Sequence, residues 1–174
     1  MKVGYYIPAY RGLSWDWTRA TMLNDMLYAG QCGASVVDLN RLVNPQTSIE
    51  QARNLALQRA MANECTHLMM MDADVAAPDC SPLAELSDAL VGHQATVAAA
   101  AVPIRYGRHR LNVSGNAAGA ALMLVDLQEL SKLDKPPDVP WFKRVYNSAI
   151  TSTLIDEGVF FCVQVTEHYQ ESEV

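Results

Sequence analysis

Four apolar runs of strand length recur along the first hundred residues: KVGYYI at 2–7, ASVVDL at 34–39, HLMMM at 67–71 and a continuous stretch at 95–102. Each is separated from the next by a segment long enough for a helix. This alternation constrains the chain more than any other feature, because strands that alternate with helices build parallel sheets covered on both faces. Local signals agree with it. The first run stops at Pro8, ahead of a PAYRG loop, and Ser14 then caps a helix expected to reach about Tyr28 and to end at Gly30 and Gly33. The second run closes on an acid, Asp38. Ser48 with Gln51, or Thr47 with Glu50, forms a capping box for a helix running to about Asn63, with Ile49, Ala52, Ala56 and Ala60 on one face. The third run breaks into Asp72-Ala73-Asp74. Ser81 and Pro82 are an N-cap and first-turn pair for a helix that Gly92 should end. The fourth run is apolar throughout, as suits a strand buried on both sides. The expected fold class is therefore α/β, with a central, mainly parallel sheet flanked by helices.

After Pro103 the pattern changes. An arginine-bearing loop (Arg105, Arg108, Arg110) leads to a glycine- and alanine-rich segment at 115–121. A strand is expected at 121–125, then a short helix with Asp126 and Glu129 as its capping box. The proline-rich KPPDVPWF follows without regular structure, and a helix is expected over 157–167. No internal repeat or compositional shift divides the 174 residues, so 1–174 reads as a single domain. With 50% hydrophobic residues, a chain of this length buries roughly 70% of its unfolded surface and can fold without disulfides or a structural metal.

The net charge is −6, and the basic residues are scattered apart from the three arginines just named. A general nucleic-acid binder needs a concentrated basic face, so nucleic acid is not an expected partner. Cys32, Cys65, Cys80 and Cys162 form no CxxC pair and fall at no zinc spacing with the histidines, which reads as reduced, mostly buried thiols in a cytoplasmic protein. No run is long enough to span a bilayer, and the N-terminal stretch is broken by Pro8 and Arg11 where a signal peptide would stay apolar. The expectation is a protein with neither a transmembrane nor a targeting segment. Trp141 and Phe142, if exposed, would mark a contact or acceptor surface.

The sharpest candidate for chemistry is Asp72-Ala73-Asp74. With 11 Asp in the chain, about 0.7 such triplets arise by chance, so position carries the argument. The triplet follows a buried strand, and in open α/β sheets ligands bind outside the carboxyl ends of the strands. Two hard carboxylates there suit Mg²⁺ or Mn²⁺ shared with a substrate's phosphates. The other reading is a loop whose aspartates cap the helix after Ser81 or face solvent. Arg53 and Asn54 lie in the first turns of their helix, where an anion is favoured. Arg53 can grip a phosphate, stack on a base or pair with Glu50 at the surface, and Asn54 can bond a ligand or an aspartate. His67 reads as a strand residue, His93 as a helix-end residue and His168 as a tail histidine.

The ordered series YIPAY, VVDLN, ARN, THLMMMDADV, GAALMLVD, PWF and DEGVFFC resembles the GT-A glycosyltransferases of the family 2 kind, particularly compact bacterial and phage members with an ARN…THLLFIDAD core. The resemblance implies a GT-A, Rossmann-like fold in which 1–103 is the nucleotide-binding half and 104–174 an acceptor-side half, shortened at its C-terminus. It implies transfer of a sugar from a nucleoside-diphosphate sugar to an acceptor, with Mn²⁺ or Mg²⁺ as cofactor. On the matching positions, Pro8, Ala9 and Tyr10 would line the nucleotide pocket and Asp38 would meet the base. Arg53 and Asn54 would hold the nucleotide, Asp72 would contact the ribose or the metal, and Asp74 would ligate the metal. The segment at 119–122 would form part of the floor near the sugar.

An inverting transfer needs a carboxylate to take the acceptor hydroxyl's proton. Family members carry a Glu-Asp pair before an apolar-aromatic-Cys segment, with the aspartate as base. Aligned on Phe161 and Cys162, this chain has Glu157 and then Gly158, so the base would be Glu157 or Asp156. The same acidic pair would also cap the expected last helix. Two alternatives stand beside this reading. One is a non-catalytic or incomplete GT-A-like protein that keeps the nucleotide pocket. The other is phosphoryl chemistry, since a strand ending in D-x-D-V also resembles the haloacid-dehalogenase phosphatases, although position 76 is Ala and the motif is not on the first strand.

Overall fold

A computed structural model of the chain describes residues 1–9, 16–41, 48–77, 80–100, 113–114, 117–118, 121–133, 141–142 and 161–164. The strands are β1 (Lys2–Tyr6), β2 (Ser35–Asp38), β3 (His67–Met71), β4 (Val97–Ala100), β5 (Val113–Ser114), β6 (Ala117–Ala118), β7 (Leu122–Asp126) and β8 (Phe161–Gln164). The helices are α1 (Asp16–Gln31), α2 (Ile49–Ala62), α3 (Pro82–His93) and α4 (Leu127–Ser131). Six strands form one sheet in the order β2-β1-β3-β7-β4-β8, and β5 and β6 form a separate antiparallel pair. β1 pairs in parallel with β2 and β3, and β4 with β8; β7 alone runs against its neighbours β3 and β4. The sheet is thus mixed but mainly parallel.

Period-2 alternation splits the core across the two faces of the sheet. Tyr6, Leu68, Met70, Val97, Ala99, Met123 and Val125 meet α2 and α4 on one face. Val3, Tyr5, Met69, Met71, Ala98, Leu122 and Leu124 meet α1 and α3 on the other. Covering both faces is what makes β4, and β3 after His67, apolar at every inward and outward position. Gly4 lets α2 come close: a Cβ built there would lie 2.9 Å from Leu39 Cδ1 and 3.1 Å from Ala60 Cβ.

The helix ends follow local chemistry. Ser48 and Gln51 make the capping box of α2, Ser81 caps α3 with Pro82 in its first turn, and Asp126 caps α4 through the amides of Gln128 and Glu129. The Glu129 carboxylate pairs with Lys132. Gly30 lies inside α1, and the chain turns at Gly33, whose φ is +66°. Likewise Gly92 does not end α3; Gln94 does so in a left-handed conformation.

The helix expected over 157–167 is not formed. Residues 161–164 are β8, extending the sheet beside β4 in register Val97↔Phe161 to Ala100↔Gln164. The aromatic and β-branched character of FCVQ and the open edge of β4 outweigh the helical reading. Phe142 and Trp141 are not a surface patch either. Phe142 is buried and Trp141 packs against the same core cluster. Of the three cysteines whose side chains are described, Cys65 is buried, Cys80 half-buried and Cys32 exposed, so mostly buried thiols are not what the fold gives. No described helix is long and apolar enough to cross a membrane.

Candidate functional site

The chain passes from β1 through α1 to β2 on one side, and then through α2 to β3 on the other side of β1. The order therefore reverses between β1 and β3, and the two connecting helices lie on opposite faces. At such a switch point the loops leaving the two strands part and open a crevice outside their carboxyl ends. Ile7, Pro8 and Ala9 leave β1 there, Asp38 ends the neighbouring β2, and Asp72, Ala73 and Asp74 leave β3.

Asp72 is anchored twice. Its amide donates to Ala121 O at 2.7 Å, and its Oδ1 accepts from the Arg53 guanidinium at 2.7 Å. The Val75 amide returns to Asp72 O at 3.1 Å and closes a turn around Asp74. The Arg53 side chain is 2% exposed and that of Asp72 31% exposed. Arg53 is thus neither a surface partner nor a platform on which a base can stack; it is a buried cation that orients Asp72 through Oδ1, while the Asp72 side chain stays partly exposed. Asp74 is exposed, and among the described residues its side chain has no partner.

Burial and the Arg53 charge act on Asp72 in opposite directions. Burial pushes the Asp72 carboxyl above its ordinary value, the Arg53 charge pulls against that, and Asp74 adds to the rise. Tyr6, behind the pair on β1, is pushed up to about 12, chiefly by burial, with Arg53 lowering and Asp72 raising it. Mg²⁺ or Mn²⁺ commonly uses one or two carboxylates together with waters and substrate phosphates. One oriented, partly exposed carboxylate beside one exposed carboxylate fits that demand. Among the described residues no group of three His, Cys, Asp or Glu side chains converges as an all-protein cage.

Neither aspartate caps α3. That helix start is served by Ser81 and by Asp25 of α1, which accepts from Leu83 N at 3.0 Å. Asp38 is held by Asn40, whose amide and Nδ2 both donate to Asp38 Oδ1 at 2.9 and 2.7 Å. Asn40 Oδ1 in turn accepts from Ile7 N at 2.8 Å, so the ends of β1 and β2 are tied together.

Asn54 does something the sequence did not suggest. Its Nδ2 donates to Glu50 O and Phe142 O, both at 2.8 Å, and its Oδ1 accepts from Phe142 N at 3.1 Å. Both donor hydrogens are spent on backbone, so Asn54 clips the 141–142 segment to α2 and has no N–H left for a nucleotide. Sequence reasoning assigns no role to Tyr6 or Asn40 and expects Phe142 at a surface rather than on Asn54. Asn40 stands two residues after an Asp, the spacing of an Asx-type turn, and could have been found; Phe142 lies 88 residues from its partner and had no local signal. His67 opens β3 and His93 ends α3, as expected. Tyr10, Asp156, Glu157, Gly158, His168 and 119–120 lie outside the described residues, while Leu122 opens β7.

The fold and the site together define a Rossmann-like α/β sheet with an acidic loop at its switch point. No protein-family model matches the chain, and no curated protein matches it. Among solved structures it is similar to A197 from STIV, with a TM-score of 0.52 and 14% identity over 80% of this chain and 72% of that one. At that identity the likeness shows the fold alone.

Proposed function

We propose that the chain is a metal-dependent glycosyltransferase of the GT-A kind, binding a nucleoside-diphosphate sugar across the carboxyl ends of β1, β2 and β3. The observation that carries this reading is Asp72, locked by buried Arg53, standing beside exposed Asp74 at the β1/β3 switch point. Asp74, with the partly exposed carboxylate of Asp72, would hold Mn²⁺ or Mg²⁺. When bound, the ion supplies Lewis-acid neutralisation of the charge that develops on the diphosphate leaving group. Pro8 and Ala9 would wall the nucleotide, and Asp38, kept in place by Asn40, would accept from its base. Arg53 and Asn54 act at one remove: Arg53 presents Asp72, and Asn54 keeps the 141–142 segment against α2. Glu157 or Asp156 would take the acceptor hydroxyl's proton.

Calorimetry with Mn²⁺ and the uridine, guanosine and cytidine diphosphates tests the reading. Binding of at least one is expected, and Asp74→Ala should abolish its metal dependence while leaving the fold intact, since Asp74 is exposed. Absence of binding by the wild-type chain to all three would remove the proposal. Full retention in Asp74→Ala would remove Asp74 from its role.

A further inference from the structure

Helix α1 is built inside out. Its core-facing positions, spaced i, i+3, i+7 and i+11, are Thr18, Thr21, Asp25 and Ala29, and the three polar ones are fully buried. Its outward positions include Trp17, Leu23 and Leu27, which are 62%, 59% and 66% exposed. Burying three polar side chains is costly unless each finds partners. Each finds at least one in the connection from β3 to α3.

Thr18 Oγ1 lies 3.0 Å from Ala73 O and 2.8 Å from Val75 O, so one hydroxyl proton is shared between the carbonyls on either side of Asp74. Thr21 Oγ1 donates to Trp17 O at 2.9 Å and accepts from Ala77 N at 2.8 Å. Asp25 Oδ1 accepts from Ser81 Oγ at 2.6 Å and Leu83 N at 3.0 Å, while its Oδ2 accepts from Tyr5 OH at 2.8 Å. The described backbone between β3 and α3 has no ladder or helix of its own to satisfy these groups. The side chains of α1 do so instead, in sequence order along the helix and along the connection.

We infer that Thr18, Thr21 and Asp25 are positioning residues for the acidic loop, and that the shared Thr18 hydroxyl sets where the Asp74 carboxylate stands. The ligand consequence rests on the glycosyltransferase reading; the loop geometry does not. Replacing Thr18 by Val keeps the shape and leaves two buried carbonyls without their donor. Thr18→Ser restores the hydroxyl.

The experiment is amide hydrogen exchange on the ligand-free chain, followed by calorimetry with Mn²⁺ and the three nucleoside diphosphates. In Thr18→Val the Val75 and Ala77 amides should exchange about tenfold faster, with β1 and the α2 interior unchanged. Metal-dependent nucleotide affinity should fall roughly three- to tenfold. Thr18→Ser should return both towards wild type. If Thr18→Val does not fold, Thr21→Val, which removes the acceptor for Ala77 and the hydroxyl donated to Trp17 O within α1, gives the same readout at the Ala77 amide.

Wild-type exchange at Val75 and Ala77, or acceleration spread evenly over the sheet, would overturn the inference. So would local acceleration with unchanged affinity. A wild-type chain that binds none of the nucleotides defeats the functional reading alone, and the exchange pattern still decides whether α1 holds the loop.

Discussion

His67 opens β3 with its Nδ1 2.9 Å from Thr66 Oγ1 and its Nε2 4.0 Å from Asp126 Oδ2. Burial lowers its pKa below 6.5, Asp126 opposes that, and the N-terminal amine adds to the lowering. The sign follows directly. As pH falls through 6.5 the unfolded chain takes up the proton before the folded one, so stability present at neutral pH is lost on acidification. Urea denaturation of wild type and His67→Gln between pH 7 and pH 5 should show the wild type losing stability relative to the variant; parallel curves would refute this. Arg53 and Asn54 teach a related lesson at the same scale. The sequence places both at the head of a helix, where ligands are commonly held, yet one is buried on Asp72 and the other is clipped to Phe142. A polar side chain's partner is decided by what packs over it, and the helix start alone does not specify that.

Among the elements, those with local signals came out of the sequence nearly intact. β3 matches its expected bounds, and the capping box of α2 and the Ser81-Pro82 start of α3 are where the residue types put them. β8 was misread because a short aromatic and apolar run following acids suits a helix start as well as a strand, and the neighbouring β4 edge settles the choice. α1 shows the limit of periodicity most clearly. Trp17, Leu23 and Leu27 mark the exposed side while Thr18, Thr21 and Asp25 are buried, so a reading of amphipathicity from these positions points the helix the wrong way round. The contact of α2 with β1 yields a prediction at this scale. In Gly4→Ala the new Cβ meets Ala60 Cβ at 3.1 Å, and that neighbour belongs to a packed helix that cannot swing aside. The variant should lose about 1–3 kcal/mol of stability, measured by thermal or urea denaturation. A change near zero would mean that α2 can shift outward.

On the scale of the whole molecule, the switch between β1 and β3 gathers Pro8, Asp38, Asp72 and Asp74 at one end of the sheet. A ligand that binds there engages the folded state alone, so the proposed nucleotide and metal should stabilise the entire fold by mass action. At about 100 times the dissociation constant the gain is about 2.7 kcal/mol. Thermal melts should show a rise that needs nucleotide and Mn²⁺ together and disappears in Asp74→Ala; equal rises in both chains would place the ligand elsewhere. By itself the sequence determined the order of strands and helices over the first hundred residues and the place of the acidic triplet after a buried strand. Those properties depend on side-chain periodicity, caps and turn residues, all of which act over a few positions. Only the tertiary structure decided which polar residues stand exposed at the strand ends and which hold the frame. Arg53 meets a partner 19 residues away and Asn54 one 88 residues away, and a buried polar group takes its role from the partner that packing brings to it.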